Sequence, residues 1–165
     1  MDIIRHYDSP LGGITLSCDG AALTGLWFDG QAHFSKGLDT AHESGDAPAL
    51  DEAARWLDMY FAGLQPGFTP VLAPRGTAFQ RAVWDALLTL PYGETTTYGR
   101  LAARLGTASA RAVGGAVARN PISLIIPCHR VIGADGSLTG YAGGIGIKRA
   151  LLTLEGFLPR EGEEE

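Results

Sequence analysis

The stretch TYGRLAARLGTASARAVGGAVARN, residues 97–120, decides how the second half of the chain folds. Thr96 or Thr97 can cap a short helix from Tyr98 to Leu105, because a threonine oxygen accepts from the free N–H groups of a first turn. Gly106 suits the left-handed position after such a helix. Ser109 can cap a second helix, Ala110 to Ala118, which Asn120-Pro121 ends. Two short helices joined by Gly106-Thr107-Ala108-Ser109 read as a helix-turn-helix. Gly114 and Gly115 sit inside the second helix, where each costs about 1 kcal/mol relative to alanine. Such a helix brings its backbone close to something, either another helix or a nucleic-acid groove. Arg111 favours the groove. It opposes the helix dipole in the first turn, and a long cation on a small-sided helix suits a duplex or a phosphate. Arg100, Arg104 and Arg119 read as cations on a solvated face.

Upstream, Thr77 fits an N-cap, with Phe79, Val83, Leu87 and Leu88 as the apolar stripe of a helix running to Pro91. Pro91-Tyr92-Gly93-Glu94 is a turn. Downstream, Ser123 to Ile126 reads as extended and apolar, Asp135-Gly136 as a hairpin turn, 140–146 as a glycine-rich loop, and Ile147 to Leu154 as a last helix. Residues 65–76, rich in proline and glycine, mark a boundary. Before it, Ile3–Tyr7, Gly13–Cys18 and Ala22–Phe28 are short runs separated by turn residues, the pattern of an antiparallel meander. Residues 31–48 read as a loop, and Ala49 to Leu64 as a helix with Leu50, Ala54, Leu57 and Phe61 inward. The expectation is a mixed α+β chain with a scaffold subdomain over 1–74, a mostly helical domain over 75–160 and an acidic tail over 161–165.

The composition, 45% hydrophobic and 19% charged over 165 residues, excludes global disorder. No apolar run outgrows short pieces such as Leu124-Ile125-Ile126, so a membrane span is not expected, and the opening MDIIRHYDSP is not a secretory signal. The expectation is a cytoplasmic protein. The net charge of −5 hides an asymmetry: 1–74 carry −7, 75–160 carry +6, and 161–165 carry −4. A basic half fits a polyanionic partner, and mutual attraction of the halves fits equally well.

Pro127-Cys128-His129-Arg130-Val131 carries the chemistry. Cys128 and Cys18 form no CxxC pair, so neither a disulfide framework nor a zinc motif is present. His129 is the one histidine after the boundary, and imidazole is the usual base for a thiol nucleophile. In a regular strand the two neighbours would point apart, so the chain must turn here or a water must bridge them. Four carboxylates follow residue 74 and precede the tail. Asp85, Glu94 and Asp135 are accounted for by their helix face or turns, which leaves Glu155 to orient His129. An inert buried cysteine beside a structural histidine is the plain alternative.

Several blocks in order then carry a resemblance: Asn120-Pro121, Ile125-Ile126-Pro127-Cys128-His129-Arg130-Val131-Ile132, Gly140-Tyr141, and Leu151-Leu152 with Glu155-Gly156. Pro91-Tyr92-Gly93-Glu94 with Tyr98, and Arg111-Ala112-Val113-Gly114, fit as well. The chain resembles the O6-alkylguanine-DNA alkyltransferase (methylated-DNA–protein-cysteine methyltransferase) family, strongly over 75–157 and in general character over 1–74. The resemblance implies a ribonuclease H-like first subdomain and a winged helix-turn-helix second domain. It implies direct-reversal repair, with the alkyl group of O6-alkylguanine, and of O4-alkylthymine, moved irreversibly to Cys128 after base flipping. His129 would be the base acting through water, Glu155 its holder, and Asn120 the brace of the turn. Tyr98 would reach the flipped base and donate a proton. Val131, Tyr141, Ala142 and Val117 would line its pocket. Arg111 would fill the vacated stack, on a minor-groove helix with Ser109, Ala110, Ala112 and Gly114. Ala142 departs from the serine of some members, and Val117 from a longer side chain. The resemblance implies no metal, no organic cofactor and no membrane partner, and a monomer on double-stranded DNA able to pack cooperatively. Two rival classes remain: a DNA-binding module with an inert cysteine, and a Cys-His hydrolase.

Overall fold

The computed structural model describes residues 1–107, 109–138 and 140–159. The acidic tail, 161–165, and Ala108 of the inter-helix turn lie outside the described residues. The chain forms two compact units. The first is Met1–Gly76 with Pro121–Ile125, and the second is Thr77–Asn120 with the chain from Ile126 onward.

In the first unit, β1 (Asp2–Ser9), β2 (Gly12–Cys18) and β3 (Leu23–Phe28) form the expected antiparallel meander. The turn before β3 closes because the Asp19 carboxylate accepts from the Ala21 and Ala22 N–H groups at 2.8 Å each. A fourth strand, β4 (His42–Ser44), pairs in parallel with β1 and gives the order β3-β2-β1-β4. It corrects the reading of 31–48 as loop. Three exposed polar residues show no alternation, so nothing in the local pattern announces them as a strand. Helix α1 (Pro48–Phe61) packs on this sheet and buries Leu50, Ala53, Trp56, Leu57 and Tyr60. Ala54 and Phe61, expected inside, are only half-buried. The bulk of Trp56 and Tyr60, stacked at 5.1 Å, turns the helix toward their side. Pro121–Ile125 joins this unit through β3: the Leu26 N–H donates to the Pro121 carbonyl and the Ser123 N–H to the Leu26 carbonyl.

In the second unit, Thr77 caps α2 (Ala78–Leu87) in a reciprocal box with Gln80. The buried face is Val83, Trp84, Ala86 and Leu87, while Phe79 and Leu88 of the expected stripe are exposed. Trp84 is the reason. Its indole fills the interior and its Nε1–H donates to the Ala116 carbonyl at 2.9 Å. The strand β5 (Thr96–Thr97) leads into α3 (Tyr98–Arg104), capped by the Thr97 hydroxyl and followed by Gly106 at φ +71°. Helix α4 (Ala110–Ala118) has the expected bounds and the expected Ser109 cap. Helices α2 and α3 both pack on α4.

Two expectations fail beyond α4. Residues 123–126 are a series of turns rather than a strand, with Leu124 buried at φ +71°. The Asp135-Gly136 turn forms, but β6 (Val131–Ile132) before it pairs in parallel with β5, so no hairpin is made among the described residues. The last helix, α5 (Ile145–Leu154), begins two residues before the expected Ile147. Among the described residues no helix is long and apolar enough to cross a membrane.

Candidate active site

The site lies within the second unit. The chain does turn at the cysteine: Cys128–Arg130 form a single 3-10 turn, so neighbouring side chains no longer alternate across a strand. One carbonyl sets that turn. The Ile126 oxygen accepts from the Cys128 N–H and from the Asn120 side-chain amide, both at 2.8 Å. Strand β6 continues from the turn, and its pairing with β5 at Thr96↔Val131 and Thr97↔Ile132 carries Tyr98 toward the same place. The phenol of Tyr98 feels the charge of a Cys128 thiolate, which places the two in electrostatic reach.

Cys128 is buried. Burial pushes its thiol above the ordinary value, while a hydrogen bond from Asn120 and the Lys148 ammonium pull it back in part. The resting group is a neutral thiol. His129 is buried beside it, and its Nε2 lies 2.5 Å from Glu155 Oε2. Burial lowers the pKa of the imidazole. Glu155 works against that, and Arg130 and Lys148 add to it. The imidazole is therefore neutral, the form that accepts a proton. Glu155 is also buried, which by itself would raise its pKa, but His129 and Arg130 outweigh burial and leave it ionised. Its second oxygen, Oε1, accepts from Arg130 Nε at 2.7 Å and from the Gly93 N–H at 3.0 Å. Gly93 has φ +79°, and a Cβ there would lie 3.0 Å from the Glu155 carbonyl. The Pro91-Tyr92-Gly93 turn thus needs its glycine to reach the carboxylate.

Tyr98 also borders an open cleft of about 480 Å³, lined with it by Ala110, Arg111, Gly114, Ala118 and Gly140. Ser109 at the cap and Ala110, Arg111 and Ala112 of α4 are exposed; Gly114 is half-buried, and a Cβ there would lie 3.6 Å from the Tyr98 ring. Gly140, at φ +72°, would place a Cβ 2.9 Å from the Tyr98 hydroxyl. Burial raises the pKa of that phenol, which keeps its O–H available as a donor. Val117, Val131 and Tyr141 are buried and Ala142 is half-buried; none of them lines this cleft. Tyr141 meets the His129 ring edge-on at 6.5 Å.

Three participants were not singled out from the sequence. Arg130 is buried in the 3-10 turn, although in the sequence it is one residue of the Pro127-Cys128-His129-Arg130-Val131 motif with nothing to set it apart. Lys148 is fully buried, donates to the Val131 carbonyl, and has its pKa pushed down to about 8 by burial. The signal was there: Lys148 lies three and four residues before Leu151 and Leu152, on the apolar face of α5. Gly93 carried no signal beyond its turn. Among the described residues no group of His, Cys, Asp and Glu is arranged to hold a metal ion.

Fold and site together define a helix-turn-helix protein with a buried thiol next to a buried His–Glu pair. Residues 78–157 match the family model described as 6-O-methylguanine DNA methyltransferase, DNA binding domain, and residues 3–71 match 6-O-methylguanine DNA methyltransferase, ribonuclease-like domain. The chain belongs to the 6-O-methylguanine DNA methyltransferase family. It is 50% identical over 152 residues to the methylated-DNA–protein-cysteine methyltransferase of Mycobacterium tuberculosis, covering 92% of this chain and 90% of that one. The protein of the same description from Methanosarcina barkeri is 59% identical over 155 residues, covering 91% and 96%. The crystal structure of Mycobacterium tuberculosis OGT in complex with DNA aligns with a TM-score of 0.83 at 49% identity, covering 93% of this chain and 92% of that one.

Proposed function

We propose that this chain repairs DNA by direct reversal, taking the alkyl group of O6-alkylguanine onto Cys128 in a single turnover. The observation that carries the reading is the meeting, in one unit, of a buried thiol, a neutral imidazole on an ionised carboxylate, and a small-sided helix whose exposed first turn carries Arg111. A Cys-His hydrolase would pass through a thioester that water cleaves and so turn over many times, whereas alkyl transfer leaves a thioether that water does not cleave and stops after one.

The O6 atom of guanine lies on the major-groove edge of a stacked base. A protein seated in the minor groove reaches the alkyl carbon by rotating the nucleotide out, at an unstacking cost of a few kcal/mol. The cleft between Tyr98, Gly114 and Gly140 is the place for that base, and Arg111 on its rim is placed to enter the vacated stack. His129 takes the thiol proton through a water. The Cys128 sulfur then attacks the alkyl carbon in line. The new S–C bond forms as the C–O6 bond breaks, and guanine leaves with the bonding pair. Its negative charge takes a proton from the Tyr98 hydroxyl, and the proton on His129 returns to Tyr98 by way of solvent. Net, the thiol proton ends on guanine. Asn120 and Lys148 hold the turn and the field around the sulfur. The partner is double-stranded DNA carrying the lesion, and we infer the cytoplasm as the place of action.

Intact-protein mass after incubation with an O6-methylguanine duplex tests the reading. The expected result is one methyl per chain, on the peptide that contains Cys128. A chain that returns unmodified, or that methylates equally as Cys128→Ala, overturns it.

A further inference from the structure

We propose that Arg130 is a positioning residue that keeps His129 in its basic form, by serving as the permanent counter-charge of Glu155. The inference deepens the reading above and rests on it. A histidine facing a buried carboxylate alone is driven toward imidazolium, because the nearby negative charge favours the protonated ring. An imidazolium cannot accept the thiol proton of Cys128.

The structure supplies a second cation to the same carboxylate. Glu155 presents one oxygen to His129, and the other is taken by Arg130 Nε at 2.7 Å and the Gly93 N–H at 3.0 Å. The guanidinium cannot swing to another partner. It is buried, its Nη1 donates to the Leu90 carbonyl at 2.8 Å, and its Cζ lies 5.7 Å from the centre of the Tyr92 ring. Leu90, Tyr92 and Gly93 come from the segment after α2, Arg130 from the 3-10 turn, and Glu155 from the end of α5. The charges around His129 are then counted from each side. Glu155 attracts a proton to the ring, whereas Arg130 and the Lys148 ammonium of α5 repel one. Cys128 adjoins it as a neutral thiol, and the Tyr141 ring meets it edge-on without charge. Burial is the largest influence keeping the ring neutral, and Arg130, paired to the same carboxylate, offsets part of the pull of Glu155 that works against it. Once the thiol proton arrives, Glu155 Oε2 is in contact to steady it.

Two measurements on the full-length protein test this. The first is the ring titration of His129 in the wild type, by NMR of labelled histidine. A neutral ring at about pH 7 is expected, and an imidazolium there overturns the proposal. The second is single-turnover transfer from an O6-methylguanine duplex across pH, for wild type, Arg130→Gln and Arg130→Lys. In Arg130→Gln the acid limb should move up by about one pH unit, the scale of one nearby charge, and Arg130→Lys should bring it back toward the wild type. A limb that stays in place in Arg130→Gln, or moves as far in Arg130→Lys, overturns the proposal. Should Arg130→Gln fail to fold, an imidazolium in the wild type still overturns the proposal, and Arg130→Met, of similar length and without charge, takes its place in the pH profile. Wild type that takes no alkyl group at any pH would sink the proposed function instead, and the His129 ring titration of Arg130→Gln against wild type would still judge Arg130.

Discussion

The Asn120 side chain and the Cys128 backbone N–H share one acceptor, the Ile126 carbonyl, each at 2.8 Å. The sulfur is therefore aimed by a residue eight positions upstream. Asn120→Ala leaves a buried arrangement short of a donor, which costs about 1–3 kcal/mol. We expect lower stability in chemical denaturation and slower transfer in a single-turnover assay. Wild-type values in both would mean that the backbone bond alone sets the turn.

Arg111 stands exposed in the first turn of α4, against the helix dipole. Arg111→Ala should leave thermal stability unchanged or raise it by about 0.3–1 kcal/mol. It should weaken duplex binding and slow transfer from duplex more than transfer from the free alkylated base. Equal losses on the two substrates would remove Arg111 from the stack.

Glu155→Gln strands Arg130 as a buried cation without its carboxylate. Breaking a buried pair in this way costs about 3–5 kcal/mol. The variant should melt well below wild type and, where folded, transfer slowly at every pH. A normal melting temperature would show that the ion pair contributes little.

Acid should destabilise the wild type in two stages. Burial holds the folded His129 below its ordinary value of 6.5, so the unfolded chain binds the extra proton first and stability falls as pH drops below about 6.5. The folded Glu155 is held below its ordinary 4.5, so a second loss sets in as pH falls further. Melting temperatures from pH 8 downward check this (the upper end is about one and a half units above a free histidine). His129→Gln should remove the first stage and leave the rest; an unchanged profile would contradict the neutral ring.

Gly140 has φ +72° and stands where a Cβ would come within 2.9 Å of the Tyr98 hydroxyl. A left-handed residue other than glycine costs about 1–2 kcal/mol, and the phenol must shift as well. Gly140→Ala should slow transfer more than it lowers duplex affinity. Wild-type rates would separate Gly140 from the placement of Tyr98.

What the sequence by itself determines is local. Thr77, Thr97 and Ser109 cap their helices, and Gly106 ends α3, because each acts on atoms within three or four residues of itself. Glu155 is the carboxylate of this half that no turn or helix face accounts for, and it does meet His129, 2.5 Å from its Nε2. Tertiary structure decided the rest. β4 exists because β1 offers it an edge, since its three polar residues carry no pattern of their own. Phe79 and Leu88 stay outside because Trp84 reaches α4 and sets the rotation of α2. Leu124 takes a left-handed turn that its side chain disfavours, and only the packing around 121–125 explains it. Arg130 and Lys148 look like ordinary surface cations in one dimension. They become part of the site because distant segments close over them, and charge in a buried place acts through distance in space rather than along the chain.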